Sequence, residues 1–212
     1  MGGKKMINVL IVEDQRMMRE TMENYIRQTQ GYRLAGSLTG ASLSEEFCMS
    51  NQVDLVLMDV CTENDESGFE ATQAIKARFP HIKVIIVTSM LDVGYLNRAR
   101  EVGADSLWYK DISQVELMKV VELTMSGESV YPDKTPEVRI GNASSYEFSE
   151  AEIKVLRLLV DGMTYKEMGE ELGVTTDCVK KHISSMLSKT GYTSKTKLAA
   201  MVMSKRIIVN GF

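Results

Sequence analysis

No apolar run in the 212 residues approaches the ~18–20 that a membrane helix needs, so a membrane span is not expected. The opening Met-Gly-Gly-Lys-Lys is not backed by the apolar stretch of a secretory signal. Met6 also stands where a myristoylation pattern requires Ser or Thr. Cysteine is scarce: Cys48, Cys61 and Cys178 are scattered, odd in number and without metal-ligand spacing. That excludes a disulfide framework and a cysteine metal site, and the expectation is reduced thiols in a cytoplasmic protein. Internal repeats and low-complexity tracts are missing too. Acid is missing from one end: residues 174–212 hold seven basic residues and a single acid, Asp177, for a net charge of +6. Residues 1–130 hold 13 Lys+Arg against 19 Asp+Glu, a net charge of −6. Only the far end is therefore suited to a polyanion.

The composition that remains, 44% hydrophobic and 25% charged, is that of a soluble globular chain long enough for two small domains. The front half alternates strand and helix. Leu55–Met58 and Val84–Val87 are short, continuously apolar runs and Ile7–Val12 is apolar but for Asn8, all suited to strands buried on both faces. Residues 32–38 read as a weaker strand and Ser106–Tyr109 as the fifth. Helical periods lie between them, and Pro80 stops the one that begins at Phe69. Asp92 is expected to cap a helix running to Val102, with Gly103 as its stop, and Ser113 with Glu116 to cap the next. The fold expected is α/β: a doubly wound, five-stranded parallel sheet with right-handed crossovers.

In such a sheet the carboxyl ends of the strands gather along one edge. Glu13 and Asp14 follow the first strand, Asp59 ends the third, Thr88 ends the fourth and Lys110 follows the fifth, so these side chains converge. Clustered carboxylates favour a hard divalent cation such as Mg2+. A hydroxyl and an ammonium beside them suit phosphoryl oxygens, and the chemistry implied is phosphoryl transfer to the Asp59 carboxylate.

From Val130 to Tyr146 the periodicity vanishes, and Pro132, Pro136 and Gly141 mark a linker. Beyond it everything reads as helix. Capping boxes open helices at Ser149/Glu152 and Thr164/Glu167, and Gly162 and Gly173 end them. A third helix has Val179, Ile183 and Leu187 on its inner face, and a last one runs from about Lys195 to Ser204. The third helix then presents Lys180, Lys181, Ser184 and Ser188 outward, with Lys189 following. This is a helix-turn-helix whose basic face can meet phosphates and base edges of double-stranded DNA.

Residues 6–127 resemble the receiver domain of two-component response regulators. Residues 147–208 resemble the LuxR-type DNA-binding domain, through Phe148-Ser-Glu-Ala-Glu152-Ile-Lys-Val-Leu156 and Val179-Lys-Lys-His-Ile183, with Gly162, Glu167 and Lys189 in place. Together they resemble the NarL/FixJ type of response regulator, with a receiver at 6–129, a linker at 130–146 and a helix-turn-helix domain at 147–212. The resemblance implies Asp59 as phosphoacceptor, Asp14 as a direct Mg2+ ligand and Glu13 as a ligand through water. The main-chain carbonyl of Cys61 completes that set, and Thr88 and Lys110 meet the phosphoryl oxygens. It further implies a sensor histidine kinase as phosphoryl donor, a homodimer when phosphorylated, and His182 as a helix-packing or phosphate-contacting residue. The protein is expected to be no enzyme beyond assisting its own phosphotransfer and dephosphorylation.

Several positions depart from the family pattern. The loop after Asp59 lacks proline, and its Gly68 comes nine residues on, where eight is usual. Leu107 occupies the place of the switch aromatic, with Trp108 and Tyr109 after it. In the second domain Ala151, Tyr165, Gly169 and Thr190 replace the usual residues. Two other readings remain open: a phosphorylation-independent regulator whose receiver only binds proteins, and a phosphatase working through an aspartyl phosphate.

Overall fold

The computed structural model describes residues 6–92, 94–110, 114–205 and 207–208, without the side chains of 114 and 115. The expected Ser113–Glu116 capping box rests on Ser113, which lies outside that set. The chain divides into two compact units: the second takes the residues from Lys134 on together with the short segment that begins at Met90, and the first takes the rest.

In the first unit β1 (Ile7–Val12), β2 (Tyr32–Leu38), β3 (Leu55–Asp59), β4 (Lys83–Thr88) and β5 (Ser106–Tyr109) form one parallel sheet. Its order is β2-β1-β3-β4-β5. The connecting helices are α1 (Arg16–Gln28), α2 (Ser44–Ser50), α3 (Gly68–Arg78), α4 (Tyr95–Glu101) and α5 (Gln114–Ser126). A helix between each pair of strands makes the pairing parallel and covers both faces. On one face Val9, Ile11, Leu55, Leu57, Ile85, Val87 and Trp108 pack on Met22 and Ile26 of α1 and on Leu117, Val120 and Val121 of α5. By the alternation of side chains along a strand, Leu10, Val56, Met58, Ile86, Leu107 and Tyr109 serve the opposite face, and all are buried. The sheet is therefore the flavodoxin-like α/β arrangement, and its order turns between β1 and β3, where ligands collect in such sheets.

Two local expectations meet a different outcome. α4 starts at Tyr95, and the residue at its N-cap position is Gly94 and not Asp92. Gly103 does end it: at φ +79 it donates to the Arg100 carbonyl while Ala104 donates to Ala99, a Schellman stop. The linker is also more ordered than its missing periodicity suggests. Val130 accepts from Leu107 N at 2.9 Å, and its own N–H donates to Ser106 Oγ at 3.0 Å, which ties it to the edge of β5. Arg139–Ile140 and Ala143–Ser144 form a two-residue ribbon whose Ile140 and Ala143 are fully buried in the helical unit.

Apart from that ribbon the second unit is built on helices: α6 (Glu150–Val160), α7 (Tyr165–Leu172), α8 (Thr176–Thr190) and α9 (Lys195–Ser204). Both expected capping boxes are present. Ser144 with Glu147 adds another at a single 3-10 turn. Gly173 and Gly191 take left-handed φ of 65° and 72° where α7 and α8 end. On α8, Val179, Ile183 and Met186 are buried, while Leu187 is only half-buried against the same core.

Candidate functional site

The register of the sheet delivers the acidic cluster. Val12 pairs with Met58, Asp59 with Val87 and Thr88 with Tyr109. The residues that follow β1 and β5 and those that end β3 and β4 therefore share one edge. Lys110 N donates to the Thr88 carbonyl at 2.8 Å. Its ammonium lies 2.7 Å from Glu13 Oε2 and 2.8 Å from Asp59 Oδ2, with all three side chains almost wholly buried. Val60 N donates to Asp59 Oδ1 at 2.8 Å and Gln15 N to Glu13 Oε1 at 3.2 Å. Thr88 is buried and Asp14 exposed.

Two buried carboxylates share one ammonium, and their burial, more than that ammonium can offset, shows in their proton affinities. Burial, then the charge of Asp59, pushes the Glu13 carboxyl up to about 7, although Lys110 pulls it down. Burial raises Asp59 as well, against Lys110 and the Val60 N–H. Ligand oxygens of Glu13, Asp14 and Asp59 lie within 4.8 Å of one another. Glu13 Oε2 is buried without a well-directed hydrogen bond. An all-oxygen set of three carboxylates with one ammonium among them carries excess negative charge, which fits a hard divalent cation. Burial first, and then Asp59, Asp65 and Asp14, push the Cys61 thiol up to about 11. It stays protonated at neutral pH, so a hard cation finds an oxygen donor at this residue only in its main chain.

Sequence reasoning missed the role of two residues at this site. Arg19 Nη1 donates to the carbonyls of Glu13 and Asp14 at 2.6 and 3.0 Å, fastening the loop that carries both carboxylates. An arginine five or six places along a helix leaves no signal of that contact. Gly68 is the other: a Cβ there would stand 1.8 Å from the Asp59 carbonyl, and its N–H donates to Val60 O at 2.8 Å. The glycine one place late in the family pattern is thus the one that close approach to Asp59 demands.

On α8, Lys180, Lys181, Ser184 and Ser188 are exposed as the helical period required. Lys180 Nζ lies 3.0 Å from Asp177 Oδ1 in an open surface pair, which water and salt weaken. His182 is half-buried with Nε2 3.6 Å from Cys178 Sγ. Lys189 is differently occupied. Its ammonium donates to Glu152 Oε2 at 2.7 Å and to the Glu147 carbonyl at 2.8 Å. Burial alone would raise Glu152, but hydrogen bonds from Lys189, Ser149 N and Ser185 hold it down to about 2. That network fastens α8 to the start of α6. Two other exposed or half-exposed lysines escaped sequence reasoning. Lys195 and Lys197, at the start of α9, lie 4.4 and 5.4 Å from the ring centroids of Tyr165 and Tyr192.

Comparison with known proteins agrees with both halves. The response regulator receiver domain profile matches residues 9–122, and that of the bacterial regulatory proteins of the luxR family matches residues 147–202. The response regulator protein VraR of Staphylococcus aureus strain Mu3 is 32% identical over 212 residues, 95% of this chain and 99% of its own length. VraR of strain NCTC 8325 is 31% identical over the same span. RcsB from Salmonella enterica serovar Typhimurium, bound to promoter P1flhDC, superposes with a TM-score of 0.64 at 17% identity. That match covers 93% of this chain and 98% of RcsB. A LuxR-family response regulator from Aurantimonas sp. SI85-9A1 gives 0.57 at 22% identity, over 62% of this chain and 91% of its own. The two structural likenesses speak for the fold.

Proposed function

The chain belongs to the two-component response regulators that join a receiver to a LuxR-type DNA-binding domain, and from that premise we propose that phosphorylation of Asp59 controls its work as a transcription factor. The observation that carries this reading is the Lys110 ammonium held between two buried carboxylates at 2.7 and 2.8 Å. A sensor kinase's phosphohistidine is the donor. An Asp59 oxygen attacks phosphorus, the P–N bond breaks, and the histidine leaves with the bonding pair. Glu13, Asp14, Asp59 and the Cys61 carbonyl would hold Mg2+, which supplies charge neutralisation for the transferring phosphoryl group. Lys110 is already within hydrogen-bond distance of Asp59, so a small rotation brings its ammonium to a phosphoryl oxygen. Thr88, ending the adjacent strand, supplies a hydroxyl.

At the other end α8 enters the major groove. Lys180, Lys181, Ser184 and Ser188 face the DNA, His182 flanks them at the phosphates, and Lys189 keeps α8 seated on α6. A single small module contacts few phosphates, so the working form is a phosphorylated homodimer on two half-sites. The receiver spans 6–129 and the DNA-binding domain 147–212, joined through 130–146. No helix among the described residues is long and apolar enough to cross a membrane, and DNA in the cytoplasm is the partner. A phosphorylation-independent receiver is the less favoured reading, since the acidic cluster keeps Lys110 against Asp59 despite the altered loop.

Acetyl phosphate with Mg2+ tests the site. The wild-type chain should gain one phosphoryl group, and Asp59→Asn should gain none while keeping its far-UV spectrum. Labelling that persists in the variant would move the acceptor elsewhere.

A further inference from the structure

The loop after Asp59 folds into a ribbon in which Cys61 pairs with Ser67 and Thr62 with Glu66. At its tip Asn64 and Asp65 take left-handed φ of 61° and 57°. Two residue pairs do not hold a ribbon by themselves. This one is fastened at three points to the loop between β2 and α2. Thr39 Oγ1 donates to Glu63 Oε2 at 2.6 Å, and Glu63 N returns a bond to the Thr39 carbonyl at 3.1 Å. Ala41 N donates to the buried Thr62 Oγ1 at 2.9 Å, and that hydroxyl donates on to Glu66 O at 3.1 Å. Ser42 donates from N and Oγ to the two Glu66 carboxylate oxygens, both at 2.8 Å. Gly40 leaves the room this requires, since a Cβ there would stand 2.6 Å from Glu66 Oε2.

We propose that Thr39, Ser42, Glu63 and Glu66 are positioning residues for the divalent cation, holding the Cys61 carbonyl in place from outside the acidic cluster. The inference rests on the Mg2+ reading above. The clamp to residues 39–42 fixes the course of the ribbon whose first residue is Cys61. Groups that orient a metal ligand typically change affinity about tenfold or more when removed. The carboxylates at the two ends of the clamp also lend negative charge, so neutral substitutions on the partner loop separate position from charge.

The test uses the full-length chain and titrates Mg2+ calorimetrically into wild type and into a Thr39→Val, Ser42→Ala double variant. The variant should bind Mg2+ about tenfold more weakly. Its unfolding midpoint without Mg2+ should match wild type, and at saturating Mg2+ its acetyl-phosphate labelling rate should recover. An unchanged dissociation constant overturns the inference. A weaker constant that comes with an equally lowered Mg2+-free midpoint also overturns it, since the loop would then be merely structural. Wild type that binds no Mg2+ would instead remove the metal reading itself.

Discussion

Glu13 and Glu152 are both buried carboxyls with a lysine beside them, yet their proton affinities move in opposite directions. Burial and then the charge of Asp59 push Glu13 up to about 7 against the pull of Lys110, whereas at Glu152 three donors outweigh burial and hold the carboxyl down to about 2. A folded-state value raised above the ordinary 4.5 stabilises the fold fully below pH 4.5, and that contribution is lost as pH rises through about 7. Without divalent cation the first unit should therefore lose stability across that window, and Glu13→Gln should flatten the loss in a calorimetric series. A slope unchanged by the substitution would assign the titration to another group. For Glu152 the sign reverses: its contribution is present above 4.5 and lost as pH falls toward about 2. Lys189→Met leaves that buried carboxylate short of a donor, and should cost the second unit about 2 kcal/mol at pH 7 in urea unfolding. A loss below about 0.5 kcal/mol would mean that Ser185 and Ser149 satisfy Glu152 unaided.

At the scale of elements, what the sequence made legible was what repeats. β1, β3 and β4 are built on apolar runs, and the capping boxes of α6 and α7 are a spaced pair of residues each. The acidic cluster followed from strand order alone, because a doubly wound sheet leaves little choice about which strand ends are neighbours. The Arg139–Ile140 ribbon was hidden because two residues carry no period. The clamp of Glu66 to Ser42 was hidden because contacts between loops obey no spacing. On α8 the period correctly turned Lys180 and Lys181 outward, but it could not foresee that Lys189 is engaged by Glu152 across a helix interface. The outward lysines therefore carry the DNA prediction. Lys180→Ala should weaken operator binding by about 1–3 kcal/mol with less sequence discrimination, as for a base contact. Lys195→Ala and Lys197→Ala should weaken all DNA alike and each reduce the salt slope by about 1, as for phosphate contacts. Fluorescence anisotropy at several salt concentrations, on operator and scrambled duplexes, separates the two outcomes. No change in any of the three variants would remove this face from the interface.

For the whole molecule, the question is where to divide it so that each half still folds. Family boundaries suggest cutting at residue 147, but Ile140 and Ala143 are fully buried in the helical unit. Asn142 N donates to the Thr190 carbonyl at 3.0 Å, and Gly141 approaches that carbonyl so closely that a Cβ would lie 2.1 Å from it. Burying an isoleucine is worth about 1.5–3 kcal/mol, and a cut at 147 forfeits it together with the bond that closes the end of α8. A fragment of residues 134–212 should therefore unfold at a higher urea midpoint than one of residues 147–212, by a margin that Ile140→Ala in the longer fragment largely removes. Equal midpoints would mean that the ribbon only decorates the domain. The longer fragment is then the proper tool for asking how phosphorylation acts. A lone module lacks the second half-site contact, so if dimerisation is the control, it should bind operator no better than the unphosphorylated whole chain. Phosphorylated chain should sediment as a dimer and bind with a steeper salt dependence, because two modules displace more counterions than one. A fragment that binds operator more tightly than the unphosphorylated chain would show that the receiver had been restraining it, and dimerisation would lose its place as the sole means of control.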